Sequence, residues 1–261
     1  MSNVELNVDD LGRATVRLAR PERHNAFDEA VIGELTATFT GLAADARVRM
    51  VVLAAQGASF SAGADLGWMQ RVAQYSEVEN RRDALGLAHM LRAIDGCPKP
   101  VVALVQGAAY GGGVGLIAAC DIAIAVDTAS FALSEVRLGL IPAVISPYVV
   151  AAIGPRACRR LFLTGERFPA TEALRLGLVH EVVPASALAA ALERTLAALA
   201  AGGPRAQAAA KELLRRVAHQ LPGEELDRWT AERIAAARAS PEGREGVAAF
   251  LAKRAPSWRG P

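Results

Sequence analysis

Two short runs of small residues constrain this chain more than any other feature. One is Phe60-Ser61-Ala62-Gly63-Ala64-Asp65-Leu66. The other is Gln106-Gly107-Ala108-Ala109-Tyr110-Gly111-Gly112-Gly113-Val114-Gly115. Each follows an apolar stretch, residues 50–54 and Val101–Val105, with the unbroken apolar character of a strand buried on both faces of a parallel sheet. A glycine-rich turn at the end of a buried strand lets another group approach the backbone closely. Two such turns, if they meet in space, can aim two backbone N–H groups at one oxygen, which makes an oxyanion hole from main chain alone.

The remaining pattern alternates strands and helices, then ends in helices. Val4–Val8 and residues 14–18 read as a hairpin around Asp9-Asp10-Leu11-Gly12. Residues 28–44 carry Val31, Leu35, Phe39 and Leu42 at helical spacing, and residues 48–54 read as a buried strand. Ser76-Glu77-Val78-Glu79 is a capping-box pattern that opens a helix towards Ile94. Further strands are expected at Ile122–Val126, 129–133 and 179–183, with helices at 147–153, 156–163 and 171–176. After Pro184 no strand candidate remains. Residues 186–201, 204–220, Glu224–Ala239 and 241–253 are helical segments broken by Gly202-Gly203, Pro222-Gly223 and Ser240-Pro241. We expect an α/β core over residues 1–185 and a helical region over 186–261. The apolar faces of that region, such as Leu192, Leu196 and Leu199, need a partner surface.

A chain of 261 residues with 52% hydrophobic content can bury a sizeable core. Its formal net charge of +2 points to neither nucleic acid nor an acidic membrane surface as partner. Cys97, Cys120 and Cys158 show no metal-type spacing and read as buried thiols of a reducing compartment. Residues 1–10 carry acidic groups and no long apolar core, unlike a signal peptide, so a cytoplasmic location is expected. The uncharged run 101–120 has the length and small-residue spacing of a membrane span. Gln106, the glycine cluster and the preceding Pro98 and Pro100 instead divide it into strand, turn and short helix. A dinucleotide fingerprint is missing, since Leu116 stands where its third glycine would be. Walker, His-Glu-x-x-His and Gly-x-Ser-x-Gly motifs are missing too, so nucleotide hydrolysis, zinc chemistry and serine hydrolysis lack motif support.

Several segments in this order resemble the enoyl-CoA hydratase/isomerase (crotonase) family over nearly the whole length. They are Arg20-Pro21-Glu22-Arg23-His24-Asn25-Ala26-Phe27, the two glycine turns, Lys99-Pro100, residues 107–121, the run 134–142 and the run 245–254. The resemblance implies a spiral of ββα units with a C-terminal α-helical trimerisation region, in a homotrimer or a dimer of trimers. It implies an acyl-CoA substrate, and no cofactor beyond the coenzyme A that the substrate carries. It places the oxyanion-hole donors on the backbone N–H groups of Ala64 and Gly112. Arg23, His24, Ala62, Asp65, Leu66, Gly111 and Gly115 fall at substrate- or coenzyme-A-binding positions. Phe250 and Lys253 match C-terminal positions that reach the coenzyme A of a neighbouring subunit.

Glu135 is the candidate proton carrier from the residues themselves. It is a carboxylate in Phe131-Ala132-Leu133-Ser134-Glu135-Val136, an otherwise apolar strand end, where burial would raise its pKa. The plainer reading is an exposed glutamate paired with Arg137. The family's catalytic glutamate falls at this place. Hydratases of the family hold the attacking water between two glutamates, the first in a Gly-Gly-Gly-x-Glu-Leu pattern. Here Gly115 occupies that position, so the two-carboxylate mechanism does not carry over intact. The family's Gly-x-Gly-Gly-Thr segment after the proline is Ala143-Val144-Ile145-Ser146-Pro147-Tyr148, whose bulk is expected to reshape the acyl pocket.

A lone carboxylate suffices to move a proton between carbons, as in Δ3,Δ2-enoyl-CoA isomerases. Alternatively, room left by Gly115 accommodates water or acyl chain. Residues 61–69, 111–120 and 138–148 look most like bacterial methylglutaconyl-CoA hydratases, which favours hydration of a short or branched 2-enoyl-CoA. His89, Arg82, Arg92 and Tyr110 are then candidates to meet a distal carboxylate. A non-catalytic acyl-CoA-binding homologue is the alternative of another class, and the presence of Glu135 argues against it.

Overall fold

The computed structural model describes residues 2–218 and 220–259. Met1, His219 near the end of the expected 204–220 helix, and Gly260 and Pro261 of the tail lie outside the described residues. The chain forms two compact units, residues up to 97 with 101–193, and residues 98–100 with 194 onward.

The first unit begins with the hairpin β1 (Val4–Val8) and β2 (Arg13–Leu18), Val4 lying opposite Leu18. Ala14, Val16 and Leu18 alternate inward, the period-two signature of a half-buried strand. Helix α1 (Glu29–Ala44) follows, its first turn capped by Asp28, which accepts from the N–H groups of Ala30 and Val31. Three ββα steps come next. The first is β3 (Met50–Ala55), β4 (Ser59–Ser61) and α2 (Leu66–Val72), extended by α3 (Glu77–Asp95) with its Ser76–Glu79 capping box. The second is β5 (Val101–Val105), β6 (Ala108–Tyr110) and α4 (Gly112–Ala118). The third is β7 (Ile122–Val126), β8 (Ser130–Ala132) and α5 (Ser146–Thr164). Strand β9 (Arg167–Pro169), helix α6 (Ala170–Leu176) and strand β10 (Glu181–Val183) complete the unit's sheets.

The leading strand of each step joins a six-stranded sheet of order β1-β2-β3-β5-β7-β10. The trailing strand joins a four-stranded sheet of order β4-β6-β8-β9. Successive steps pair in parallel in both sheets, Val102 beside Ile122 in one and Ala109 beside Phe131 in the other. This is the spiral of ββα units that the resemblance implies. The central strands are apolar throughout because both faces are covered: every residue of Val101–Val105 except Leu104 is buried.

The structure differs from the sequence expectation in several details, among them helix α2, which no expected element covers. The helices expected at 147–153 and 156–163 form one run, α5, broken by Gly154 at φ 75° and followed by Pro155. The three-residue strands β4, β6 and β9 carry no pattern of their own, because a strand so short has too few alternations to register.

The second unit holds the end of α7 (Leu188–Ala201), α8 (Pro204–Val217), α9 (Glu224–Ala239) and α10 (Pro241–Leu251). Ser240 caps α10 through the Gly243 N–H, with Pro241 as the first helical residue. The Glu242 carboxylate accepts from Arg205 N–H at 3.1 Å and Ala206 N–H at 2.8 Å, tying α10 to the start of α8. An apolar groove of about 1150 Å³ lies within this unit, lined by residues that include Leu213, Val217, Trp229, Ile234, Val247 and Trp258. Among the described residues no helix is long and apolar enough to cross a membrane.

Candidate active site

The two glycine turns meet because their strands are neighbours. Strands β4 and β6 run parallel, Ser59 beside Ala108 and Ser61 beside Ala109, so the turns leaving them emerge side by side. Gly63 at φ 85° and Gly111 at φ 49° take the left-handed backbone that the reversal needs. The approach is close: a Cβ on Gly63 would stand 2.7 Å from the Tyr110 carbonyl oxygen and 3.5 Å from the Gly112 nitrogen. The Phe27 N–H donates to the Gly63 oxygen at 2.8 Å, and the Asp65 N–H donates to the Phe27 oxygen at 3.0 Å. The Ala64 N–H between them is passed over by this bridge. Gly112 is the first residue of α4, where a backbone N–H has no preceding turn to bond. Among the described residues neither the Ala64 N–H nor the Gly112 N–H has a hydrogen-bond partner.

Glu135 lies beside them. It opens a short 3-10 turn, Glu135–Leu138, rather than ending a strand; β8 stops at Ala132. The Gly111 N–H donates to the Ala132 oxygen at 2.9 Å, which anchors the glycine turn to the strand preceding Glu135. A Cβ on Gly111 would stand 3.1 Å from Oε1 of Glu135. The other carboxylate oxygen, Oε2, is buried and accepts no hydrogen bond from the described residues. Burial pushes the Glu135 carboxyl above the ordinary glutamate range, against a smaller opposing contribution from its own backbone. The expected competitor, a pair with Arg137, does not form among the described residues. Arg137 points its guanidinium at the Thr164 oxygen, 3.4 Å from Nε.

The opening expected beside Gly115 is filled. Gly115 is buried in α4, and a Cβ there would lie 2.8 Å from the Ile145 Cβ and run into its Cγ2. Ile145, 3% exposed, occupies the volume that a side chain at 115 would need. The glycine at 115 and the bulk after Pro142 are therefore one matched exchange, an apolar branch in place of a second carboxylate.

The upstream positions form a polar cluster in the same unit. Asp65 is buried at the N-cap of α2, accepting from the Gly67 and Trp68 N–H groups and from Arg23 Nη1 at 2.8 Å. Hydrogen bonding from Arg23 is the main cause holding its carboxyl below the usual aspartate range. The Arg23 guanidinium stays largely exposed, and His24 Nδ1 lies 3.1 Å from Ser59 Oγ. The Ala62 N–H donates to the His24 oxygen at 2.9 Å, and Leu66 is exposed at the start of α2. Phe250 and Lys253 lie in the second unit, Phe250 in α10 and Lys253 just past it at φ 54°. Of the candidates for a distal carboxylate, Tyr110 is already engaged, its hydroxyl 3.0 Å from Ser130 Oγ and its ring under Arg167. Arg82, His89 and Arg92 lie exposed on α3.

Some residues that build the site had no role assigned from sequence. Arg20 is buried and reaches Asp28 at 3.0 Å and Asp65 at 3.4 Å. Asn25 donates to the Gln56 and Ser59 oxygens and accepts from the Arg20 N–H. Ser61 Oγ bridges the Asn25 oxygen and the Gly63 N–H. The available signal was Asn25, a residue tolerant of the left-handed backbone, and it takes φ 53° here.

A family model described as enoyl-CoA hydratase/isomerase matches residues 11–261. The crystal structure of an enoyl-CoA hydratase from Shewanella pealeana superposes with a TM-score of 0.95 at 44% identity, over 98% of this chain and 96% of that one. One from Mycobacterium smegmatis gives 0.93 at 34% identity, over 99% of each chain. The enoyl-CoA hydratase AFT6-1 of Alternaria alternata is 37% identical over 206 residues, 78% of this chain and 67% of that relative.

Proposed function

The chain belongs to the enoyl-CoA hydratase/isomerase family, and from that premise we propose that it hydrates a short or branched 2-enoyl-CoA, of 3-methylglutaconyl-CoA type. The observation that carries the reading is the Glu135 carboxylate, with its buried Oε2 lacking a partner among the described residues, set beside the paired glycine turns that each present one unpaired N–H group. The Ala64 and Gly112 N–H groups bind the thioester oxygen. Glu135 takes a proton from water as the water oxygen bonds to C3. The double-bond electrons move towards the thioester, and negative charge gathers on the oxygen held by the two donors. Glu135 then returns the proton to C2, which restores the carboxylate and leaves the 3-hydroxyacyl thioester. Fixed donors stabilise that oxygen most when its charge is greatest. A carboxyl lifted by burial exchanges protons more readily near neutral pH. Coenzyme A enters as part of the substrate, and the steps as written need no metal or redox group. Arg23, His24, Ala62, Asp65 and Leu66 would line its path, and Phe250 and Lys253 would serve a neighbouring copy in a homotrimer. We place the reaction in the cytoplasm, in keeping with the burial of Cys97 and Cys158; Cys120, expected to be buried with them, is half-buried.

A second reading is favoured by one observation. With Ile145 over Gly115, a second carboxylate is absent where family hydratases hold water, and Glu135 alone can shuttle a proton between C4 and C2 of a 3-enoyl-CoA. Turnover of crotonyl-CoA, 3-methylglutaconyl-CoA and a 3-enoyl-CoA decides between them. We expect loss of the conjugated thioester on hydration of the branched substrate. Turnover of the 3-enoyl-CoA alone assigns the chain as an isomerase, and turnover of none assigns it as a binder.

A further inference from the structure

Phe27 touches both sides of the proposed oxyanion hole. Its backbone brackets Ala64, accepting from the Asp65 N–H at 3.0 Å and donating to the Gly63 oxygen at 2.8 Å. Its ring lies against Gly112: a Cβ on Gly112 would stand 3.1 Å from Cε2 and 3.2 Å from Cε1 and would run into Cζ. The ring, 1% exposed, also packs on Trp68 of α2, the centroids 6.4 Å apart. Trp68 is itself tied through Nε1 to Asp83 of α3 at 3.1 Å. Asp28, the next residue along the chain, is fixed as the cap of α1 and by Arg20, so Phe27 has little freedom to shift. The Ala64 and Gly112 N–H groups come from separate ββα steps, and hydrogen-bond strength falls steeply with misalignment. Phe27 joins the two turns, its backbone bonded to one and its ring packed against the other.

We propose that Phe27 is a positioning residue that sets the spacing of the Ala64 and Gly112 N–H groups, an inference that rests on the reading of these groups as the oxyanion hole. Phe27→Leu preserves an apolar side chain and the backbone bridge but removes the ring edge beneath Gly112. The expected result is a fall in kcat of roughly 10- to 100-fold, less than complete loss of a donor, with KM changed little. The infrared carbonyl band of bound butyryl-CoA, labelled with carbon-13 at the thioester carbon, reads the hole directly. Wild type should shift the band to lower frequency, and Phe27→Leu should lose much of that shift while the pH profile governed by Glu135 stays in place. Gly112→Ala approaches the same contact from the other side and should lose the shift as well. Combined with Phe27→Leu, which makes room for the methyl, it should regain part of it. If Phe27→Leu does not fold, as judged by circular dichroism, Gly112→Ala alone is read in the same way. A full wild-type band shift and kcat in the folded Phe27→Leu protein, or in Gly112→Ala, overturns the proposal. A wild-type protein that binds butyryl-CoA with no band shift overturns the oxyanion-hole reading itself, whatever Phe27 does.

Discussion

Glu135 carries opposite demands on function and stability. Its carboxylate sits largely out of water with Oε2 unpaired, which favours the neutral form and penalises the charged one. Glu135→Gln keeps the size and removes the proton carrier, so turnover should fall at least about 100-fold, as for other lost acid–base groups. Wild-type turnover in this variant would take Glu135 out of the reaction. The same substitution should stabilise the fold at neutral pH. In the unfolded chain the carboxyl titrates near 4.5, and in the folded protein it titrates higher. Between those two values the unfolded state holds fewer protons, so wild-type stability falls as pH rises, and above the folded value the penalty is complete. The stability gap between Glu135→Gln and wild type should therefore widen as pH rises from 4 to 8. Urea unfolding at both pH values measures it, and an unchanged gap would mean that the carboxyl is not penalised by burial. Glu135 was legible in the sequence as a charge in an apolar segment. Phe27 was not, since nothing in a sequence says which ring lies against which glycine two ββα steps away.

At the scale of elements, α4 and α5 are matched through Gly115 and Ile145. Gly115→Ala forces a methyl against Ile145 and should cost about 1–3 kcal/mol as overpacking. Ile145→Ala should cost roughly 2–5 kcal/mol as a cavity. The double variant should cost clearly less than the two single costs together, because the new methyl enters space that the truncation vacates. Strict additivity in denaturant unfolding would show that the two side chains do not compete for one volume. By the same logic Gly115→Glu should disrupt the protein unless Ile145 is shortened with it, so a second carboxylate cannot be restored by one substitution. Long elements with a clear period were legible: the hairpin, α1, the Ser76 cap of α3 and the central strands each follow from local pattern. In the small sheet β8 was legible, but the three-residue strands β4, β6 and β9 were not, although β4 and β6 bring the glycine turns together. Their pairing is decided by the parallel stacking of whole ββα steps rather than by their own residues.

For the whole molecule, the second unit displays more apolar surface than a solitary helical layer keeps in water. Phe250 is 81% exposed and Leu251 75%, and Leu214, Ile234 and Val247 are all at least half exposed. With the apolar groove among α8, α9 and α10, they form the kind of surface that marks an association site. We expect light scattering at micromolar concentration to give three or six times the 27.3 kDa monomer mass. Exposed side chains on a true monomer tolerate charge with little effect, usually within about 0.5 kcal/mol. Val247→Glu with Leu251→Glu should instead dissociate the assembly, because each buried charge in an interface must be desolvated without a partner. The proposed roles of Phe250 and Lys253 add a kinetic consequence. If they complete the coenzyme A site of a neighbouring copy, dissociation raises KM for the acyl-CoA, and specific activity of the wild type falls on dilution below the association range. Activity that stays proportional to enzyme concentration down to a scattering mass of 27.3 kDa would show that each copy holds its substrate unaided.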